Sequence, residues 1–180
     1  MSANDMDTKR VIYLAGGCFW GTQGYLRRLP GVLETEVGYA NSTESNPTYE
    51  QVCSGSTEAA EAVRVVYDAD KLELPLLLQA YFASINPTNV NHQGNDVGTQ
   101  YRTGIYWVNS EDEAVARHEL DELQSTCDAP VAVEALPLEN FYPADTVHQD
   151  YLVKNPHGYC HIDLNLADKF AAEHGLAMSA

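Results

Sequence analysis

The chain has few basic residues and no long apolar run. Its 180 residues include 26 acidic side chains but only 10 basic ones, which gives a formal net charge of -16. This charge opposes non-specific binding to nucleic acid or to an anionic membrane, so we expect neither as a partner. No apolar stretch approaches the length of a membrane span, and residues 1–10 are polar, unlike a signal or transit peptide. We therefore expect a single-domain cytoplasmic protein.

Cysteine is also scarce. The four cysteines, Cys18, Cys53, Cys127 and Cys160, are widely spaced, and no Cys-x-x-Cys pair occurs. This pattern excludes a secreted disulfide framework and a standard structural zinc knuckle. A chemical role for one or more of these cysteines as reduced thiols remains possible.

Hydrophobic periodicity predicts alternating strands and helices. Strands are expected at 11–15, within 32–40, and at 62–67, 103–108 and 131–135. Helices are expected from Phe19 toward Leu29, from Pro75 through Tyr81, and at 110–126, where Ser110 and Glu113 would form a capping box. The order β-α-β-β-α-β, followed by α-β, predicts an α+β fold. Its core would be ferredoxin-like, a two-layer sandwich with helices on one face of a mixed sheet.

Three stretches do not fit the role of plain connectors. They cover residues 41–60, 86–102 and 137–163, where turn-forming residues alternate with hydrogen-bonding ones. Because compact domains rarely carry so much irregular chain without using it, we expect long functional loops.

The segment Gly17-Cys18-Phe19-Trp20-Gly21 is the most informative in the chain. It follows a short apolar strand and a Gly16-Gly17 turn, so Cys18 is predicted at the start of a helix. The helix N-terminus would then lower the pKa of the thiol, and Phe19 and Trp20 would form a small apolar pocket beside it. The alternative is that Cys18, Phe19 and Trp20 are ordinary core residues.

Several further segments, in the same order and spacing, carry a family resemblance. They are Val37 to Ala40, Asn46 to Glu50, Val52 to Gly55, Gly94 to Tyr101, and Asn155 to Cys160. Together with Gly17 to Gly21 they make the chain resemble the A type of peptide methionine sulfoxide reductase over residues 10 to 160. The resemblance implies an oxidoreductase that repairs methionine S-sulfoxide after oxidative stress.

The resemblance implies three catalytic residues. Cys18 would attack the sulfoxide sulfur and become a sulfenic acid, while Glu61 would protonate the sulfoxide oxygen. Partial burial would raise the pKa of Glu61 toward the working pH. Cys160 would resolve the sulfenic acid as a disulfide, which thioredoxin or another dithiol would reduce. No metal or prosthetic cofactor is implied. Since no cysteine follows Cys160, we expect a two-cysteine relay.

The same resemblance implies five substrate-binding residues. Phe19 and Trp20 would contact the methyl group, and the phenols of Tyr49 and Tyr101 would hydrogen-bond the sulfoxide oxygen. Asp96 would hold the main-chain amide of the substrate. Residues 10–163 would then form a single catalytic domain, preceded by a flexible segment at 1–9. A tail at 164–180 would contain a short helix closed by Gly175, and we expect a monomer.

The chain departs from the family pattern at three places. Gln23 replaces a usual glutamate, Glu58-Ala59 replaces Gly-His, and Ile85-Asn86 replaces His-Asp. The change at Glu58-Ala59 lies close to Glu61 in sequence, so it could alter the pKa of that residue or the order of its loop.

Three other functions are open from the residues alone. Cys18 could serve a hydrolase or acyltransferase, which would not need Cys160. A metal-binding module could use His148, His157, Cys160 and His161, although their spacing fits no standard zinc pattern. The third alternative is a non-enzymatic binding domain.

Overall fold

The computed structural model describes residues 8–176 and contains one large sheet and one short hairpin. The strands are β1 (Lys9–Gly16), β2 (Val32–Ala40), β3 (Ala60–Asp68), β4 (His92–Gln93), β5 (Asp96–Val97), β6 (Thr103–Trp107), β7 (Glu134–Pro137) and β8 (Phe141–Pro143). The large sheet has the order β7-β6-β1-β3-β2-β8, and β4 pairs with β5 alone. Only β6 and β7 pair in parallel among these strands, so the sheet is mixed.

Six helices accompany the sheet in the described part of the chain. They are α1 (Phe19–Leu26), α2 (Tyr49–Cys53), α3 (Leu74–Phe82), α4 (Asp112–Gln124), α5 (Tyr151–Lys154) and α6 (Asn165–Glu173). Short 3-10 turns cover Thr99–Tyr101 and Thr146–His148. The prediction of an α+β fold with a mixed sheet is confirmed. The three long loops contain the short elements α2, β4, β5, β8 and α5, which periodicity did not predict.

The main core lies between the helices and one face of the sheet. Alternation along β1 and β3 turns Ile12, Leu14, Val63 and Val65 toward the helices, and all four are fully buried. The opposite face carries a smaller cluster around Ala15, Ala62 and Tyr106. Glu61 lies on the helix face because it precedes Val63 by two residues, so its carboxyl enters the main core.

The strand predicted at 131–135 was placed three residues too early. The backbone N–H of Val131 donates to the Gln124 side chain at 2.8 Å, and that of Ala132 donates to the Pro87 carbonyl at 2.7 Å. These groups are therefore not available for pairing with β6. The strand begins instead at Glu134, whose carboxylate accepts from Arg102 and Tyr106.

The capping box predicted for the fourth helix was wrong. The helix begins at Asp112, its N-cap is Glu111, and no side chain caps it. The carboxylate of Glu113 instead accepts from Arg117, one turn later, at 3.0 Å. A capping box does form at α2, between Thr48 and Gln51. The predicted extension of α1 to Leu29 is also wrong, because i+3 backbone hydrogen bonds replace the helix after Leu26.

Two predicted segments lie partly outside the described residues. The flexible segment expected at 1–9 is described only from Thr8, and Lys9 already belongs to β1. The tail expected at 164–180 is described to Leu176 and contains α6, followed by Gly175 at φ 64°. Within residues 8–176, no helix is long and apolar enough to cross a membrane.

Candidate active site

Cys18 lies where the central strand β1 passes into α1. Gly17 adopts φ 90°, a left-handed conformation that glycine tolerates, and Cys18 is the N-cap residue of the helix. A side chain at Gly17 would also collide with Gln93 and His161, because its Cβ would lie 2.8 Å and 2.9 Å from their atoms. The predicted position of Cys18 at a strand-to-helix turn is confirmed. Only 7% of the Cys18 surface is exposed to solvent.

The predicted lowering of the Cys18 pKa was wrong for the substrate-free protein. Burial raises the pKa of this thiol, and the nearby Glu61 and Asp96 carboxylates raise it further. The backbone N–H groups of Trp20 and Gly21 oppose this effect, although neither forms a capping hydrogen bond. The helix N-terminus therefore acts in the predicted direction but is outweighed by desolvation and by negative charge.

Glu61 is a buried carboxylic acid beside Cys18. Its Oε1 accepts a hydrogen bond from the backbone N–H of Phe19 at 3.2 Å, and the residue is 1% exposed. Its Oε2 is also buried and has no hydrogen-bond partner among residues 8–176. Burial raises the pKa of Glu61 to about 8, with a further contribution from Asp96, while the Phe19 N–H opposes the shift. The predicted rise is confirmed, so Glu61 holds a proton at neutral pH.

Three tyrosines lie near enough to this carboxyl to interact with it electrostatically. Tyr39 pairs with Glu61 across the β2–β3 ladder, and Tyr49 and Tyr101 lie half-buried on α2 and the 3-10 turn. Burial, and then the Glu61 carboxylate, raises the pKa of all three phenols, so each remains a hydrogen-bond donor. Cys53 lies close enough to Tyr49 to interact with its hydroxyl.

Trp20 is held by two residues that the sequence did not single out as its partners. Its indole Nε1–H donates to His148 Nδ1 at 3.1 Å, and its ring stacks on Tyr151 with a centroid distance of 3.8 Å. Burial lowers the pKa of His148, which keeps the ring neutral and Nδ1 an acceptor. The ring of Phe19 lies 5.5 Å from that of His148 and 5.7 Å from that of Tyr39.

Asp96 lies on the β4–β5 hairpin and acts on Cys18 from there. Its carboxylate raises the pKa of both Cys18 and Glu61, so the three groups share one electrostatic environment. Its Oδ2 accepts a hydrogen bond from the hydroxyl of Tyr159 at 2.9 Å. Tyr159 is 41% exposed and immediately precedes Cys160, so this bond ties the hairpin to the Cys160 segment.

Cys160 lies against the first turn of α1. A Cβ atom built on Gly21 would be 3.2 Å from Cys160 Sγ, so the absence of a side chain at Gly21 admits this sulfur. Its thiol donates to the carbonyl of Ile162 at 3.0 Å. Cys18 and Cys160 are both unpaired thiols in this form. Seven of the eight residues that the sequence analysis selected thus lie around Cys18 and Glu61, and Cys160 lies beside Gly21 in the first turn of α1.

Two of the departures from the family pattern have visible consequences. Gln23 is buried, donates to the carbonyl and hydroxyl of Thr35, and accepts from the backbone N–H of Asp150. It thereby joins α1 to β2 and to the start of α5. Glu58 adopts φ 55°, a strained conformation for a residue with a Cβ, but it is exposed and does not shift the pKa of Glu61.

Two histidines of the metal-binding alternative have other partners. In residues 8–176, no three His, Cys, Asp or Glu side chains are grouped so that they could hold a metal ion. His148 instead accepts from Trp20, and His161 bonds the carbonyl of Gly16.

Comparisons with known proteins agree with this geometry. The family model described as peptide methionine sulfoxide reductase matches residues 10–177. Peptide methionine sulfoxide reductase MsrA of Mycoplasma pneumoniae is 56% identical over 153 residues, covering 85% of this chain and 98% of that protein.

Solved structures are similar as well. Reduced Mxr1 from Saccharomyces cerevisiae aligns with a TM-score of 0.83 and 36% identity, covering 87% of this chain and 91% of the other. Mxr1 in complex with Trx2 aligns with a TM-score of 0.59 and 25% identity, covering 82% and 87%. From the family match and the identity to its relatives, together with the site around Cys18, we conclude that the chain belongs to the peptide methionine sulfoxide reductase family.

Proposed function

We propose that the protein reduces the S epimer of methionine sulfoxide to methionine, in proteins, in peptides and as the free amino acid. Cys18 is the nucleophile, Glu61 the acid and Cys160 the resolving thiol. One observation carries the proposal. The buried Glu61 carboxyl is anchored through Oε1 to the residue after Cys18, while Oε2 has no partner among the described residues. An unpartnered buried acid group beside a cysteine is suited to protonating an oxygen bound to the atom that the cysteine attacks.

The first step transfers oxygen from the substrate to Cys18. The sulfur of Cys18 bonds to the sulfoxide sulfur, Glu61 donates its proton to the sulfoxide oxygen, and the proton lost from Cys18 restores Glu61. The oxygen then passes to the Cys18 sulfur as the new S–S bond and the substrate S–O bond break, which releases methionine and leaves Cys18 as a sulfenic acid. A neutral Glu61 is needed twice, since it donates the proton and places no negative charge beside the developing thiolate.

Five side chains hold the substrate. Tyr49 and Tyr101 donate hydrogen bonds to the sulfoxide oxygen, supported by the raised pKa values that keep both phenols protonated. Phe19 and Trp20 pack against the methyl group, and Asp96 accepts from the main-chain amide. In the substrate-free protein, Oδ2 of Asp96 accepts a hydrogen bond from the Tyr159 hydroxyl. When the substrate binds, this oxygen accepts from the substrate amide instead.

The second step regenerates the thiol. Cys160 attacks the Cys18 sulfenic acid, a disulfide forms, and water leaves. Thioredoxin then reduces the disulfide, and no prosthetic cofactor takes part. The existence of a complex between the similar protein Mxr1 and Trx2 supports this partner.

The finer features of the molecule are proposals too. The adjacency β6-β1-β3-β2, antiparallel throughout, supports a ferredoxin-like two-layer core. We also propose one catalytic domain over residues 10–163, a monomeric protein and a cytoplasmic location, where reductants keep thiols available.

The direct test separates the two epimers of a methionine sulfoxide peptide. With excess dithiol present, the S epimer should disappear and the R epimer should persist. A Cys18→Ala variant should consume neither. Loss of both epimers at equal rates would contradict the proposed selectivity, and turnover by Cys18→Ala would contradict the mechanism.

A second test excludes the hydrolase alternative, which nothing in the site favours. With thioredoxin as the sole reductant, Cys160→Ser should release about one methionine per chain and then stall, because its sulfenic acid cannot form the disulfide. A hydrolase using Cys18 would release no methionine from the sulfoxide, and its turnover of an acyl substrate would continue with Cys160 replaced.

A further inference from the structure

His161 is a partly buried imidazole that the mechanism above does not use. Its Nε2 lies 2.8 Å from the carbonyl oxygen of Gly16. Because a carbonyl can only accept, Nε2 carries the proton and Nδ1 of the neutral ring has a free lone pair. Nδ1 is buried and has no hydrogen-bond partner among residues 8–176. The ring is therefore held in one tautomer with its basic nitrogen unoccupied.

Two glycines place this ring against the first turn of α1, where Cys160 also lies. Cβ atoms built on Gly17 and Gly21, on either side of Cys18, would lie 2.9 Å from His161 Nε2 and 2.9 Å from its Nδ1. The same point on Gly21 is 3.2 Å from Cys160 Sγ. His161 Nδ1 and the Cys160 sulfur therefore both lie over the first turn of α1, no farther apart than those two distances together.

We propose that His161 is the general base of the resolving step and accepts the proton of the Cys160 thiol through Nδ1. The inference rests on the Cys18–Cys160 relay proposed above. The Cys160 sulfur attacks the sulfur of the Cys18 sulfenic acid, the S–S bond forms and the S–O bond breaks. The departing hydroxide takes up the proton held by His161 and leaves as water. His161 thus ends neutral, and the two cysteines end as one disulfide.

The resolving thiol needs such a base. Its hydrogen now lies against the Ile162 carbonyl, which can accept a hydrogen bond but cannot remove the proton. Burial raises the pKa of Cys160, so its thiolate fraction at neutral pH lies below the few per cent of a free thiol. The Asp96 carboxylate acts on His161 from the hairpin, and Cys160 lies beside the same helix turn as the ring. Arg28 and Asp163 are the charged groups that act on the Cys160 thiol, with opposite effects on its pKa.

The test measures the two steps separately in a His161→Gln variant. The glutamine amide can still donate to Gly16, but it cannot act as a base. Protein and excess S-sulfoxide peptide are mixed without reductant, and methionine release and disulfide formation are both followed by rapid quenching. His157→Gln is the matched control, since His157 is an exposed histidine of the same segment.

We expect unchanged methionine release in both variants. At neutral pH, disulfide formation should slow about tenfold or more in His161→Gln and not in His157→Gln. The deficit should shrink as the pH rises, because Cys160 then ionises without help. An unchanged rate of disulfide formation in His161→Gln would overturn the proposal. A deficit that stays constant with pH would also overturn it, because that result indicates a purely structural role.

Two further features keep the result decisive. The rate of disulfide formation is taken relative to methionine release in the same sample, which cancels any loss of folded protein, and His161→Asn provides a second variant. If the parent protein released methionine but formed no Cys18–Cys160 disulfide, the relay itself would fail. A normal disulfide rate in His161→Gln would leave the relay intact and remove only the base.

Discussion

The carboxyl of Glu61 accepts a hydrogen bond from the backbone N–H of Phe19 at 3.2 Å, across 42 positions of the chain. This bond fixes a buried acid at the first residue of the helix that Cys18 caps. Because the acid is protonated up to a pH of about 8, the site contains a proton donor and a thiol at neutral pH.

The shared protonation of these two groups predicts a characteristic pH profile. The reactive form has a Cys18 thiolate and a protonated Glu61, which is one proton on the pair. The pair carries two protons below a pH of about 8 and one above it, so kcat/KM for the first methionine release should rise with pH and level off near that value.

Glu61→Gln should remove the acid, and with it the pH at which kcat/KM stops rising. At neutral pH its kcat/KM for methionine release should fall by about 10²-fold to 10⁴-fold, the usual effect of a general acid. The remaining rate should keep rising with pH beyond the parent's plateau, since only Cys18 then titrates. If kcat/KM of the variant still levelled off near the same pH, the titrating group would be one other than Glu61.

Glu61 should also make the protein less stable at alkaline pH. Its pKa is raised from 4.5 to about 8 in the folded protein, so between these values only the unfolded chain releases the proton. The contribution of Glu61 to the free energy of unfolding is therefore fully present below the lower value and is lost as pH rises through the higher one.

Denaturant unfolding of the parent and of Glu61→Gln at about pH 5.5 and about pH 9 measures this effect. Relative to the variant, the parent should lose on the order of 3 kcal/mol between the two conditions. An equal pH dependence of the two proteins would show that Glu61 titrates normally.

Much of this site could be predicted from the sequence, and the reasons are local. Gly16-Gly17 after an apolar strand predicts the turn that sets Cys18 at a helix start, and the period-2 pattern around Val63 places Glu61 on a strand. The direction of the Cys18 pKa could not be predicted this way. It depends on burial and on two carboxylates from β3 and the hairpin, whose approach no local pattern encodes.

The residues that support Trp20 show the same limit. His148 and Tyr151 lie in a loop that the sequence marked as functional, but they meet Trp20 from more than 100 positions away. Similarly, the strand near residue 131 is displaced because Gln124 and Pro87 take its backbone N–H groups. Contacts between distant segments decide both outcomes.

Glu58 offers a prediction about stability. It occupies φ 55° in the turn before β3, where the usual family residue is glycine and a Cβ is strained. Glu58→Gly should raise the free energy of unfolding by about 0.5–1 kcal/mol, measured by urea unfolding. Glu44→Gly is the control, because Glu44 is exposed without a positive φ and should lose stability. Destabilisation by both changes would mean that the turn tolerates Glu58 without strain.

Gln23 connects stability to substrate binding. Gln23→Leu removes the partly buried hydrogen bonds that Gln23 forms with Thr35 and Asp150, which together should cost about 1–3 kcal/mol. Since the loss loosens α5, whose Tyr151 stacks on Trp20, KM should rise more than kcat falls.

Gln124→Leu is the comparison for this change. Gln124 also bonds a loop, at Ala129 and Val131, but on an exposed helix away from Cys18. Its KM should match that of the parent. A KM unchanged in Gln23→Leu as well would separate α5 from substrate binding.

The central claim is that Cys18 takes the oxygen and Cys160 restores the thiol. Its most direct measurement is a reaction without reductant, in which released methionine is counted and the cysteine pairing is determined by peptide mass. The parent should release about one methionine per chain and contain a Cys18–Cys160 disulfide, while Cys18→Ser should release none. Methionine release by Cys18→Ser, or a disulfide that joins a different pair in the parent, would contradict the account.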